Sequence, residues 1–253
     1  MRLLVLLLGL ALTCLGGCAK KNDVILLGMI HSGHRDSELY ALDVLEEAIR
    51  RIEPDAILAE IPPASMADAD RQFAEAGSIT AGRVRVFPEY TDVVFPLRAE
   101  LGYDIVPTAA WTPEMAADRR EKLDRWKTER ATDSQRVQDA MDAIPGWIEA
   151  AGGREDDPLF IHTTGYDAIV ARGLTPYNAL FNEDLGLGGW DSINAAHWAL
   201  IDAELDRRSG RGETLAITFG AWHKHWFMEA LAERRRDRGD IAIIDPKRFF
   251  GSR

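Results

Sequence analysis

Cysteine is almost missing from this chain: there are two in 253 residues, Cys14 and Cys18, both near the amino terminus. Beyond position 18 the sequence offers no disulfide, no thiolate nucleophile and no sulfur ligand for a structural zinc ion. A Gly-x-Ser-x-Gly elbow is also missing, which removes a serine nucleophile despite Ser32 and Ser37 near His31. Gly186-Leu187-Gly188-Gly189 precedes a helical pattern without a Walker lysine, so no phosphate-cradling loop is expected there. Positive charge is scarce, with 30 Lys and Arg against 41 Asp and Glu and a net charge of −11. That balance argues against nucleic acid as a partner and against broad electrostatic adhesion to anionic lipid.

What the amino terminus does contain is a processing signal. Arg2 supplies a short positive region, Leu3 to Leu12 an apolar one too short to span a bilayer comfortably, and Leu15-Gly16-Gly17-Cys18 a small-residue cleavage site. Leu-Gly-Gly-Cys resembles the lipobox of bacterial lipoproteins, which implies cleavage after Gly17 and acylation of Cys18. Ala19 rather than Asp follows the cysteine, which within that resemblance implies the outer membrane of a Gram-negative cell, facing the periplasm. Residues 1–17 then form the signal peptide, 18–23 the acylated cysteine and a tether, and 24–253 a single domain. Residues 19–23 reach at most about 17 Å, so the lipid anchor holds the domain close to its membrane partner.

The patterning from residue 24 predicts an α/β fold: a mainly parallel central sheet flanked by helices. Asp23 to Gly28 reads as a buried strand, with Val24-Ile25-Leu26-Leu27 as its apolar run. Asp36 or Ser37 is expected to cap a helix with Leu39, Leu42, Leu45, Ile49 and Ile52 on its apolar face. Pro54-Asp55 ends that helix, and Ala56 to Glu60 follows as a second strand, a βαβ signature. Helices are expected near 64–76 and 89–101, with a third strand at 103–107. Residues 110–185 read as a helical insert, its 113–151 portion a charged, solvated pair of helices. An amphipathic helix over 191–208, a strand over 214–219, a helix over 224–238 and a strand over 241–244 complete the chain.

Two copies of one spacing, Gly28-Met29-Ile30-His31 and Gly220-Ala221-Trp222-His223, sit at strand ends. Six histidines and 21 glycines would give about 0.5 such matches by chance, so placement matters more than number. Carboxyl ends of parallel strands form the rim where open α/β sheets bind ligands. Glu60 ends the second strand, and a carboxylate there needs a cation, a metal or a hydrogen-bond donor beside it. His31, Glu60 and His223 are therefore the candidate reaction set, with His34 and His225 as flanking metal-ligand candidates. Two imidazoles and a carboxylate can ligate zinc, manganese or cobalt; without a metal they can run general acid–base hydrolysis. His162 is read as structural; Trp190, Trp198, Trp222 and Trp226 could line a substrate pocket, with core packing as the default reading.

The order of motif, helix, strand-end Glu60 and second motif resembles the TraB/GumN/Tiki superfamily, related to erythromycin esterases and to the haem-binding lipoprotein ChaN. The resemblance covers residues 24–61 and 213–245. It implies that His31, Glu60 and His223 are catalytic or metal-binding. The family also carries a polar Arg/Asn-containing helix before the late strand; here Asn194 and His197 stand at that place, with no arginine before Arg207. The resulting expectation is an envelope-anchored hydrolase acting on a peptide, an ester or another small molecule. A lipoprotein that binds haem or a small ligand without catalysis, or one that binds a partner, is the alternative.

Overall fold

A computed structural model describes residues 20–251. Five strands, β1 (Asn22–Met29), β2 (Ala56–Ala59), β3 (Asp104–Pro107), β4 (Thr214–Gly220) and β5 (Ile241–Ile244), form one sheet. Its order is β3-β2-β4-β1-β5, and every pairing is parallel. The expected α/β architecture is thus present. Parallel strands are covered on both faces, and their near-continuous apolar composition follows from that. Ile25, Leu27, Met29, Ile57 and Ala59 face one apolar core, while Val24, Leu26, Leu58, Leu215, Ile217 and Phe219 face the other.

In chain order the helices are α1 (Leu42–Ile52), α2 (Pro63–Ala76), α3 (Phe95–Leu101), α4 (Pro113–Glu129), α5 (Ala131–Asp142), α6 (Ile144–Ala150), α7 (Pro158–Ile161), α8 (Thr164–Phe181), α9 (Trp190–Arg207) and α10 (Lys224–Asp237). Helix α1 buries Leu45, Ile49 and Ile52 on the first face. Each such side chain contributes about 1.5–3 kcal/mol. Helices α9 and α10 cover the second face through Ile201, Leu205, Phe227 and Leu231. The connection from β1 to β2 passes β4, and the connection from β4 to β5 passes β1 on the opposite face. The carboxyl ends of β1 and β4, where the two crossovers diverge, form a crevice of the kind that binds ligands.

Several boundaries differ from the sequence reading. Helix α1 starts at Leu42, because the Ser37 hydroxyl accepts the N–H groups of Leu39 and Tyr40 and closes a separate turn. Residues 89–101 open with a π-helical turn, Glu89–Val94, before α3 begins. The later part of the insert is split near residue 162: Thr163 caps α8 through the Tyr166 N–H, leaving α7 as a single turn. Helices α4 to α8 occupy 113–181, and α4 and α5 are not merely solvated. Trp126 and Val137 join Tyr177, Phe181 and Leu185 in a small third core.

The amino ends of the strands are held together by polar contacts. Buried Arg208 binds Glu204, Asp104 and Glu213, and its carbonyl accepts the Asn22 amide. Lys20 bridges to Gly210 and Arg211, so Lys20, Asn22 and Asp23 of the expected tether are already engaged by the fold. Cys18 and the expected signal sequence lie outside the described residues.

Candidate functional site

The two motifs interlock because their strands are neighbours in register. Gly28 pairs with Phe219 and Met29 with Gly220. A Cβ on Gly28 would lie 3.1 Å from the Cα and Cβ of Ala221, and a Cβ on Gly220 would lie 2.6 Å from His31 Nε2. Each glycine therefore makes room for the other motif. His31 has φ 51°, one of two non-glycine residues with positive φ among those described. The other, Glu53, is an ordinary left-handed end to α1. A left-handed histidine costs on the order of 1 kcal/mol or more, and such strain concentrates at functional sites.

Both motif histidines are tied off at Nδ1, by different partners. His31 Nδ1 lies 2.6 Å from Glu89 Oε1. His223 Nδ1 lies 2.6 Å from Asn194 Oδ1, and Asn194 is oriented in turn by its amide donating to the Trp190 carbonyl. Neither acceptor oxygen can donate, so the network assigns a proton to each Nδ1 and leaves Nε2 as the working nitrogen.

The partners set opposite charge preferences. Burial alone would depress His31, but the hydrogen bond and charge of Glu89, with Glu60 behind it, hold its pKa above 6.5. Burial takes His223 well below 6.5, and the neighbouring imidazoles of His197, His31 and His225 push it further down. Desolvation likewise raises Glu60, only partly offset by His31 and the Gly220 N–H. The surroundings thus bias His31 towards its cationic form and His223 towards its neutral form. Groups whose pKa values are pushed apart in this way can serve as an acid–base pair.

Glu60 Oε2 accepts the Gly220 N–H at 2.8 Å and lies 3.8 Å from His31 Nε2. The Tyr90 hydroxyl accepts the Glu60 N–H at 2.7 Å and donates to the Thr218 carbonyl at 2.8 Å, clamping the ends of β2 and β4. A cavity of about 620 Å³ opens over the rim, lined by His31, Gly220 and His223 together with Tyr166, Trp190 and Trp222. These tryptophans line the cavity rather than only filling the core.

The remaining nominated residues divide clearly. His197 stands behind His223, their ring centroids 5.5 Å apart, and its Nδ1 accepts the Ala110 N–H at 2.7 Å. Burial takes its pKa to about 3. Asn194 and His197 thus position His223 from α9. His34 has both ring nitrogens committed, Nδ1 to the Tyr40 carbonyl and Nε2 to the Ile30 N–H, so it shapes the turn and has no nitrogen free for a metal. His225 is not among the residues lining the cavity. His162 is structural: it accepts the Gly28 N–H and donates to the Pro158 carbonyl.

Sequence reasoning missed Glu89 and Tyr90. Glu89 is fully buried. The available signal was one acid inside an otherwise apolar, aromatic stretch, Phe87-Pro88-Glu89-Tyr90, where an unpaired carboxylate would be costly. Of the nominated metal donors, His34 has both ring nitrogens committed, whereas His31 and His223 are tied only at Nδ1. Among the described residues no group of three or more His, Cys, Asp and Glu side chains is arranged to hold a metal ion. No protein-family model, curated protein or solved structure matches the chain.

Proposed function

We propose that this protein is a hydrolase that cleaves an acyl bond, in a peptide, an ester or a lactone, by acid–base chemistry between its two motif histidines. The observation that carries the reading is the pairing of His31 Nδ1 with Glu89 and of His223 Nδ1 with Asn194 at the mouth of one cavity. His223 Nε2 takes a proton from water as the water oxygen bonds to the acyl carbon. His31 Nε2 gives its proton to the leaving oxygen or nitrogen as the acyl bond breaks. Exchange with solvent then restores both histidines. Glu60 keeps the His31 cation in place from the side opposite Glu89. Such proton transfers contribute about 10²–10⁴-fold each. The likeness of the strand-end motifs to TraB/GumN/Tiki proteins agrees with this reading, and the reading needs no cation.

The test is a panel of peptides, esters and lactones assayed in EDTA and with Mn²⁺, Co²⁺ or Zn²⁺. Turnover in EDTA that falls at least 10²-fold in both His31→Asn and His223→Asn is expected. Turnover that survives both substitutions, or that appears only with a metal, would overturn the proposed chemistry. A stoichiometric Soret band on haem titration with no turnover on any substrate would favour the ligand-binding alternative.

The envelope location is part of the same proposal. Lys20, two residues after the proposed lipidation site Cys18, bridges to Gly210 and Arg211 at the amino end of the sheet. Strand β1, eight residues long, then carries the rim about 26 Å further from the bilayer. Replacing Cys18 by Ser should move the protein from membrane to soluble fractions; retention in the membrane would refute the anchor.

A further inference from the structure

On the far side of His223 and Trp190 lies a second cavity, of about 210 Å³, lined by Arg83, Trp111, Arg119, Tyr177 and Ile193 as well as by those two residues. Its chemistry is unlike that of the main cavity, whose polar rim includes Asp36, Glu155 and Asp156. Among the described residues neither Arg83 nor Arg119 makes an ion pair, in a chain where acids outnumber bases by 41 to 30. Arg83 lies over the Phe87 ring at 5.5 Å, and that ring stands 4.9 Å from His31. The charge of Arg83 reaches His31, Glu60 and His197. Arg119 is steadied from behind, its Nε donating to the Tyr177 hydroxyl at 3.2 Å and its stem lying against Gly188.

Hydrogen-bond donors are in surplus here. The Trp190 indole N–H is buried with no partner, on a residue that lines both cavities. Two guanidinium groups and an unsatisfied N–H without an acceptor among them describe a receptor for an oxyanion, and guanidinium forks suit carboxylate and phosphate alike. The aromatic and aliphatic walls add room for an apolar body next to the charge.

We propose that this second cavity is an oxyanion subsite holding a carboxylate or phosphate of the substrate, so that the bond presented to His31 and His223 belongs to an anionic molecule with an apolar or aromatic portion. The substrate assignment rests on the rim being the reaction centre, whereas binding of the anion itself does not.

Isothermal titration calorimetry with benzoate, phenyl phosphate and neutral benzamide separates the two. Saturable binding of benzoate or phenyl phosphate, no binding of benzamide, and at least a tenfold weakening in Arg83→Gln/Arg119→Gln are expected. The tighter anion identifies the group: carboxylate if benzoate leads, phosphate if phenyl phosphate does. Thermal unfolding of the double variant at the wild-type temperature shows that the loss is local. No binding of either anion to the wild type, or unchanged binding in the folded double variant, overturns the subsite even if hydrolysis is observed. Anion binding without hydrolysis of any substrate removes the enzyme reading and leaves the subsite standing.

Discussion

Replacing Gly220 by alanine tests how the two motifs fit together. Gly220 has φ −47° and ψ 135°, a backbone conformation open to alanine, so the change introduces no backbone strain. What it introduces is a methyl carbon 2.6 Å from His31 Nε2 and 3.6 Å from Glu60 Oε2. Ordinary van der Waals contact begins near 3.5 Å, so the imidazole must retreat by about 1 Å. His31 is one-third exposed and has room to move, but the movement takes it off its 2.6 Å contact with Glu89. A displacement of that size costs about 10²-fold in rate. The lost charge-assisted hydrogen bond is worth about 1.5–3 kcal/mol, reduced by the water that reaches the exposed ring. The assay is nitrogen-detected NMR titration of the imidazole rings between pH 5 and 9. The wild-type His31 should titrate above 6.5. In Gly220→Ala it should titrate closer to 6.5, with turnover reduced about 10²-fold. Gly28→Ala is the comparison: its methyl presses on Ala221 and Ile161 at 3.1 Å, which should lower stability while leaving His31 paired. A wild-type His31 titration in Gly220→Ala would refute the steric argument.

Glu89→Gln keeps an acceptor for His31 Nδ1 but removes the charge, so the His31 pKa falls and turnover at pH 7.5 drops at least about tenfold. Because the folded pKa of His31 lies above its unfolded 6.5, the stability it adds is complete below 6.5 and lost as pH rises through the folded value. The melting-temperature gap between wild type and Glu89→Gln should therefore narrow from pH 6 to pH 9. Asn194→Asp places a carboxylate on His223 Nδ1 and raises the pKa of His223, so the acidic limb of the kcat/KM profile should move towards neutrality; an unmoved limb would exclude His223 as the base. Burial takes His162 to about 3, so its stabilising contribution is present above 6.5 and lost as pH falls towards 3. That loss reaches about 3 kcal/mol by pH 4.5. His162→Leu should cost about 1–3 kcal/mol at neutral pH, as the Gly28 N–H loses its acceptor, yet flatten the acid decline in urea unfolding.

Much of this protein could be read locally. Short, near-continuous apolar runs located all five strands, because a parallel strand must bury both faces wherever it sits. Helix ends follow local chemistry where proline and glycine stand: Pro63 and Pro113 begin helices, and Gly77 and Gly102 end them in left-handed turns. The start of α1 was misread because the Ser37 hydroxyl serves either a helix cap or a separate turn, and burial of Tyr40 decides between them. Glu89 escaped notice because it is 58 residues from His31 and follows no spacing rule.

The sequence alone determined that two glycine–histidine turns and one glutamate would stand at strand ends, since strand patterning fixes where each side chain leaves the sheet. Only the tertiary structure decided that β4 inserts between β1 and β2, which brings Gly220 against His31 and Glu60. It also decided the direction in which each histidine's pKa moves. Two chemically identical side chains in matching motifs meet a carboxylate in one case and an amide in the other. A pKa depends on the neighbours and the burial that folding supplies, and neither is written in the motif itself.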